Sequence, residues 1–341
     1  MSFKKITGMA LGAFCVTMAA SAQAEEVNLY SSRQPFLINP LLEAFTEETG
    51  VKVNMVYIKK GMLERIKAEG ENSPADLILT SDIGKLDNHV QAGLLKATSS
   101  DVLKEKIPSQ YRHPDGLWYG LTTRARIIYA HNKRVKPEEV QTYEDLAKPH
   151  MEGRVCTRSG KHEYNVSLLA SIVAAKGEEY ALEWAKGLKK NLARKPQGND
   201  RAQVKAVYQG ECDVSLGNTY YMGKMVTNEK NPEQKDWAAS VFLVFPNQAD
   251  RGTHVNISGG GVLKGAMNEA NAIKLLEFLT GPKAQALYAE GNFEYPIDEN
   301  AKLHPVVASW GKFKADEMDL TKIAEYRKIA TRIMDKVRYN N

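Results

Sequence analysis

Residues 27–80 read VNLYSSRQPFLINPLLEAFTEETGVKVNMVYIKKGMLERIKAEGENSPADLILT, and their changing apolar period decides the fold. Val27 to Ser31 reads as a strand. Asn39-Pro40 predicts a helix start with proline at the first position, Leu41, Leu42 and Phe45 supply the buried stripe, and Gly50 ends the run. Val51 to Ile58 alternates as a strand, and Met62 to Ala68 returns to helical spacing. The Asn72-Ser73-Pro74 turn leads into an apolar strand, Asp76 to Thr80, and a helix follows from Ile83 to Gly93. Strand–helix–strand–helix–strand order predicts a parallel sheet covered on both faces. Ligands of such sheets sit beyond the carboxyl ends of the strands, here near Ser31 to Pro35 and Leu79 to Asp82.

The pattern then repeats. Lys96 to Gly120 is loop-rich, and Leu117 to Leu121 feeds a strand at Arg126 to Ala130, where the chain is expected to cross into a second lobe. Helices are predicted at Tyr143 to Lys148, Tyr164 to Ala175, Glu178 to Leu192 and Asp200 to Tyr208. Strands are predicted at 154 to 157, Cys212 to Leu216 and Val241 to Phe245. His254 to Leu263 reads as the return strand, with Ser258-Gly259-Gly260-Gly261 at a bend or a tightly approached backbone. Helices at Ala266 to Leu279, Pro282 to Ala289 and Leu320 to Val337 close the chain. The expectation is an α/β protein of two lobes, each a mixed, mainly parallel sheet flanked by helices, with a ligand cleft between them. The lobes are drawn as 25–123 plus 253–304 and 124–252 plus 305–341.

Residues 1–24 read as an address. Lys4 and Lys5 precede an apolar run from Ile6 to Ala20, and Ala22-Gln23-Ala24 has the small residues of a cleavage site. The run is too short to span a bilayer. The remaining 317 residues are expected outside the inner membrane, soluble and monomeric, with no direct membrane insertion. Two of the basic residues lie in the address, so the formal charge falls from +5 to +3. No basic block or tail stands out, which argues against nucleic acid as a partner.

Of three cysteines, Cys15 lies in the address, leaving Cys156 and Cys212. In an oxidising compartment the pair reads as a disulfide tying two strands of one sheet, the alternative being two separate buried thiols. The sequence contains no GxSxG or HExxH pattern and no credible Cys–His pair, so an enzyme is not expected.

The chemistry concentrates in Gly217-Asn218-Thr219-Tyr220-Tyr221-Met222-Gly223. The expected arrangement is strand, tight turn at Gly217, then a helix opening on two phenols, with Asn218 and Thr219 as candidate caps. Tyr164 stands at a second helix start, behind Ser159-Gly160. Helix N-termini favour phenolates and bound anions. A free phenol ionises near pH 10, and a small, highly charged hard cation supplies the help that neutral pH withholds. Three phenolates match Fe(III) and overshoot Ca²⁺ or Zn²⁺. Arg124 and Arg126 at the interlobe crossing, and Arg33 at the end of the first strand, are candidates to fork onto an oxyanion beside the metal.

In Leu29-Tyr30-Ser31-Ser32-Arg33-Gln34, Pro74 to Thr80, Gly120 to Ala130, Arg158-Ser159-Gly160 with Tyr164-Asn165, and Gly217 to Tyr221, the chain resembles the periplasmic iron(III)-binding proteins. These are the solute-binding components of bacterial ferric-iron ABC importers, with the two-lobed type II periplasmic binding fold. The resemblance covers residues 27–338. It implies Tyr164, Tyr220 and Tyr221 as ferric ligands, Arg124 as the residue holding a synergistic anion such as carbonate, and an inner-membrane ABC permease as the partner. Many relatives carry a His-Tyr pair just after the first strand, where this chain has Gln34 and Pro35, so no phenolate is expected from the first lobe. The alternative is a binding protein of the same fold for an organic or anionic solute of the polyamine, thiamine or phosphonate type.

Overall fold

The computed structural model describes residues 25–298 and 300–341; the expected signal peptide at 1–24, with Cys15, lies outside the described residues. Strand β1 (Glu26–Ser31), helix α1 (Pro35–Thr49), β2 (Lys52–Tyr57), α2 (Met62–Glu69), β3 (Leu77–Thr80) and α3 (Ile83–Gln91) follow the predicted order. They lead through α4 (Asp101–Lys106) to β4 (Tyr119–His131). Then come β5 (Val155–Cys156), α5 (Glu163–Lys176), α6 (Glu178–Lys190), α7 (Asp200–Tyr208), β6 (Val214–Asn218), α8 (Thr219–Val226), α9 (Glu233–Ala239) and β7 (Val241–Val244). The return strand β8 (Val255–Val262) precedes α10 (Glu269–Leu279), α11 (Pro282–Asn292), β9 (Tyr295–Pro296), α12 (Pro305–Ala308) and α13 (Leu320–Lys336).

One strand organises the two halves. All thirteen residues of β4 are buried. Its first part, Tyr119 to Ala125, pairs with β8, and its last part, Arg126 to His131, with β6 and β7. On the near side β2, β1 and β3 run parallel, and β8 closes them antiparallel. On the far side β5 and β6 are parallel. The sheet is therefore mixed, its parallel pairs being those joined by crossover helices and its antiparallel pairs those made by the strands that travel between halves. Helix α13 lies on α5 and α6 and reaches α3, so the C-terminal segment touches both halves. Among the described residues no helix is long and apolar enough to cross a membrane.

Several local expectations are corrected. Helix α1 begins at Pro35 rather than at Asn39-Pro40; Pro40 sits inside it on the exposed face, where water can solvate the carbonyl of Phe36 that loses its donor. The loop-rich stretch holds α4, capped by Ser100, whose hydroxyl accepts from Leu103 N at 3.2 Å. The helix expected at Tyr143 to Lys148 is a single 3₁₀ turn, Glu144–Ala147. Gly217 is not a turn but the penultimate residue of β6, where a Cβ would lie 2.1 Å from the ring of buried Tyr129. The Ser258 to Gly261 run lies within β8 rather than at a bend; it is the tightly approached backbone of the expectation, glycine because β3 and β4 press on it from both sides, with a register shift in the β4 pairing opposite Ser258-Gly259. A Cβ at Gly260 would meet Ile78 O at 2.7 Å.

Cys156 and Cys212 form a disulfide with Cα atoms 5.9 Å apart. Cys156 ends β5 and Cys212 lies just before the neighbouring β6. The bridge thus ties the segments that lead to Tyr164 and to Tyr220-Tyr221.

Candidate metal centre

Strands β5 and β6 run side by side and release their chains on the same edge of the sheet. From β5 the chain reaches Tyr164, second residue of α5; from β6 it passes directly into α8, with Tyr220 and Tyr221 in the first turn. Parallel adjacency therefore brings together side chains 56 residues apart. The hydroxyls of Tyr164 and Tyr220 are 3.0 Å apart, and the rings of Tyr220 and Tyr221 are 4.3 Å between centroids. All three half-buried rings line one cavity of about 750 Å³, faced from the other half by Ser32, Arg33, Gln34 and Ser81. Among the described residues no group of three His, Cys, Asp or Glu could hold a metal, so the phenols are the donor set on offer.

Desolvation pushes the phenols of Tyr164 and Tyr220 above the ordinary range, and mutual repulsion within the tyrosine cluster adds to it. Arg124 opposes this at both. The apo site thus keeps protons that only a strong cation would displace.

The sequence-nominated arginines part company here. Arg126 is buried and committed: Nη1 donates to Asp200 at 2.8 Å and to the Asn218 side chain at 3.0 Å, and Nη2 donates to the Asn165 side chain at 2.7 Å. One guanidinium thus joins the first turn of α5, the start of α7 and the N-cap of α8. Asn218 is the N-cap by position but caps nothing with its side chain, since Arg126 takes that oxygen. Arg33 pairs with Glu294 at 2.8 Å and also donates to Ser258. Arg124, 2% exposed, sits behind Ser81 and Ser258, donating to the Ser81 carbonyl and, at 3.3 Å, to Ser258 Oγ. Its Nε is buried without a partner, and it makes no ion pair among the described residues.

Sequence reasoning missed the groups beneath the tyrosines. Asp200, with no exposure, accepts from Arg126, from Arg158 at 2.9 Å and from Asn218 N at 3.0 Å. The two guanidinium carbons lie 5.8 and 5.1 Å from the Tyr164 ring centroid. An acid at the first position of a helix is ordinary in sequence, so nothing marked Asp200. Glu294, in the segment after α11, is equally unmarked, yet it accepts from Thr122 at 2.6 Å and lines the cavity. His162 caps α5 by accepting from Tyr164 N at 3.2 Å. Burial, then Arg158 and Arg126, push its imidazole down to about 4, so it stays neutral at physiological pH. His254 is packed beside the crossing and is pushed down to about 3 by burial and then by Arg126.

A bilobal α/β architecture with a polar cavity between its halves defines a solute-binding protein. Residues 72–319 match the bacterial extracellular solute-binding protein family, and the chain belongs to it, in the branch that holds the ferric-binding proteins. It is 49% identical over 315 residues to iron uptake protein A1 of Synechocystis sp., across 92% of this chain and 87% of that one. Ferric iron-binding protein A of Mannheimia haemolytica, solved in an open conformation, superposes with a TM-score of 0.88 at 48% identity, over 93% of this chain and all of that one. A Trichodesmium protein solved with iron and citrate ligands gives a TM-score of 0.89 at 44% identity, over 92% of this chain and 99% of that one.

Proposed function

We propose that this chain captures ferric iron in the periplasm through the phenolates of Tyr164, Tyr220 and Tyr221 and hands it, as a monomer and without catalysis, to an inner-membrane ABC permease. The observation that carries the reading is the convergence of three phenols on one cavity, two hydroxyls 3.0 Å apart, with no competing carboxylate or histidine cluster among the described residues. Three phenolates cancel the charge of Fe(III) and offer hard oxygen. The relatives' iron-binding descriptions support the same conclusion.

An exogenous oxyanion, carbonate foremost, fills coordination positions that the phenols leave open. Arg124 is its counter-ion: it alone of the three nominated arginines has no carboxylate partner among the described residues. Arg33 and Arg126 serve the site through Glu294 and Asp200. Residues 25–123 with 253–304 form one lobe and 124–252 with 305–341 the other, and hinge motion where β4 changes partners opens and closes the cleft. Pro35 offers no ligand atom, so closure brings no phenolate from the first lobe.

The test is a ferric titration followed by the visible phenolate-to-iron band. Wild type binds one iron with colour, and changing both Tyr220 and Tyr221 to Phe abolishes binding while the apo protein keeps its unfolding midpoint. Arg124→Ala weakens binding most when bicarbonate is the only anion. Stoichiometric coloured iron in the double variant refutes the ligand assignment. Tight binding of thiamine or a polyamine without iron refutes the function.

A further inference from the structure

Three phenols on one lobe do not draw the other lobe in, and Pro35 offers the metal no ligand atom, so closure of the cleft needs another source of attraction. Among the described residues only two ion pairs join residues 25–123 and 253–304 to residues 124–252 and 305–341, and they lie side by side. Lys85 on α3 meets Glu163, the first residue of α5, at 3.3 Å. Asp82, the N-cap of α3, meets Arg327 on α13 at 3.5 Å. The charges are crossed, each side presenting one of each sign. Asp82 is fixed on its own side, accepting from Gly84 N at 2.8 Å and from the Asn256 side chain at 2.9 Å. Arg327 is fixed on the other, donating to Ser167 Oγ on α5 and, at 3.5 Å, to the Glu163 carbonyl. Asp82 has no exposure and the other three side chains keep 19% to 34%, so salt screens these pairs less than it screens surface ones. The fit is close: a Cβ on Gly84 would lie 2.1 Å from the guanidinium carbon of Arg327, which therefore rests against the first turn of α3. Both sides lead directly to the cleft, since Tyr164 follows Glu163, and Ser81, which precedes Asp82, lines the cavity.

We propose that Lys85–Glu163 and Asp82–Arg327 form an interlobe clasp that holds the cleft closed over the tyrosines, and that these four are positioning residues for iron retention. The clasp rests on the ferric reading and on the division into lobes given above. It acts on the metal through the placing of the lobes, not by coordination. Opening at the hinge carries α3 away from α5 and α13 and breaks both pairs together. Two pairs of crossed sign also fix how the lobes meet, because sliding one past the other brings like charges closer. Iron is then held by three phenols and kept from solvent by four charges that never touch it.

The experiment measures two things on the full mature chain: small-angle X-ray scattering of the apo protein, and the rate at which iron passes to excess EDTA, followed by the visible band. Arg327→Met and Lys85→Met should each enlarge the apo radius of gyration and speed iron loss about fivefold, the upper end for an ion pair that is not fully buried. The band should keep its wavelength, because the phenols are untouched. Gly84→Ala favours the helix but displaces the guanidinium, so it should speed iron loss as Arg327→Met does. Lys85→Glu combined with Glu163→Lys should release iron more slowly than either reversal alone, a rescue that a folding defect would not give. Rates within about twofold of wild type for both Met variants, an unchanged radius, or a reversed pair no better than its single reversals overturns the clasp and leaves the ferric reading intact. Colourless wild type overturns the ferric reading, and scattering of the apo variants then decides the clasp by itself.

Discussion

Asp200→Ala should cost more stability than any change to the tyrosines it supports. The carboxylate has no exposure and accepts three bonds of 2.8 to 3.0 Å, from Arg126, Arg158 and Asn218 N. Removing it leaves the guanidiniums of Arg126 and Arg158, 2% and 11% exposed, both without an ion-pair partner among the described residues. Breaking a buried pair in this way costs about 3–5 kcal/mol, because the orphaned charge stays desolvated. An unsatisfied buried N–H adds about 1–3 kcal/mol. Against this, Arg126 keeps its bonds to Asn165 and Asn218. The net expectation is about 4 kcal/mol, falling to roughly half for Asp200→Asn, which keeps an acceptor but not the charge. The assay is urea unfolding of the apo protein with an iron titration alongside. Because Arg126 and Arg158 frame the Tyr164 ring, the visible band of Asp200→Asn should shift as well as weaken. Stability within about 1 kcal/mol of wild type for Asp200→Ala would refute the view that this carboxylate holds three helix starts together.

Burial raises the phenols of Tyr164 and Tyr220, so the apo protein holds both protons at neutral pH and iron must expel them. Affinity should therefore rise with pH, and a pH-stat should record at least those two protons per ferric ion; release of fewer than one refutes the phenolate reading. Burial alone would raise the Glu294 carboxyl, but Arg33 foremost, with Arg124 and Thr122, holds it below the ordinary carboxylate range. That depressed value contributes stability above the unfolded carboxylate pKa, about 4.3, and the contribution is lost as pH falls through the folded value. Arg33→Met should thus be most destabilising near neutrality, with a difference that shrinks on acidification; a difference independent of pH refutes the pairing. The Cys156–Cys212 disulfide closes a separation of 56 residues, for which chain entropy gives up to about 4 kcal/mol. Material from the periplasm should show no free thiol after denaturation without reductant, and reduction should lower the urea midpoint.

The order of elements and the three tyrosines were legible in the sequence because both are local. Apolar periodicity reports which face of each segment is buried, and Tyr164, Tyr220 and Tyr221 stand at helix starts that their neighbours announce. The turn expected at Gly217 was wrong for a nonlocal reason: that glycine answers the Tyr129 ring on the adjacent strand, not the backbone's own need to bend. The arginines show the same limit. Being two apart marked Arg124 and Arg126 as neighbours, but only the fold gives Arg126 to Asp200, 74 residues away, and leaves Arg124 without a carboxylate. Charge pairing is a matter of distance and desolvation, and neither is written in spacing along the chain. The sequence determined which donors this protein owns; tertiary structure decided which of them are already spent on one another and which remain for a ligand.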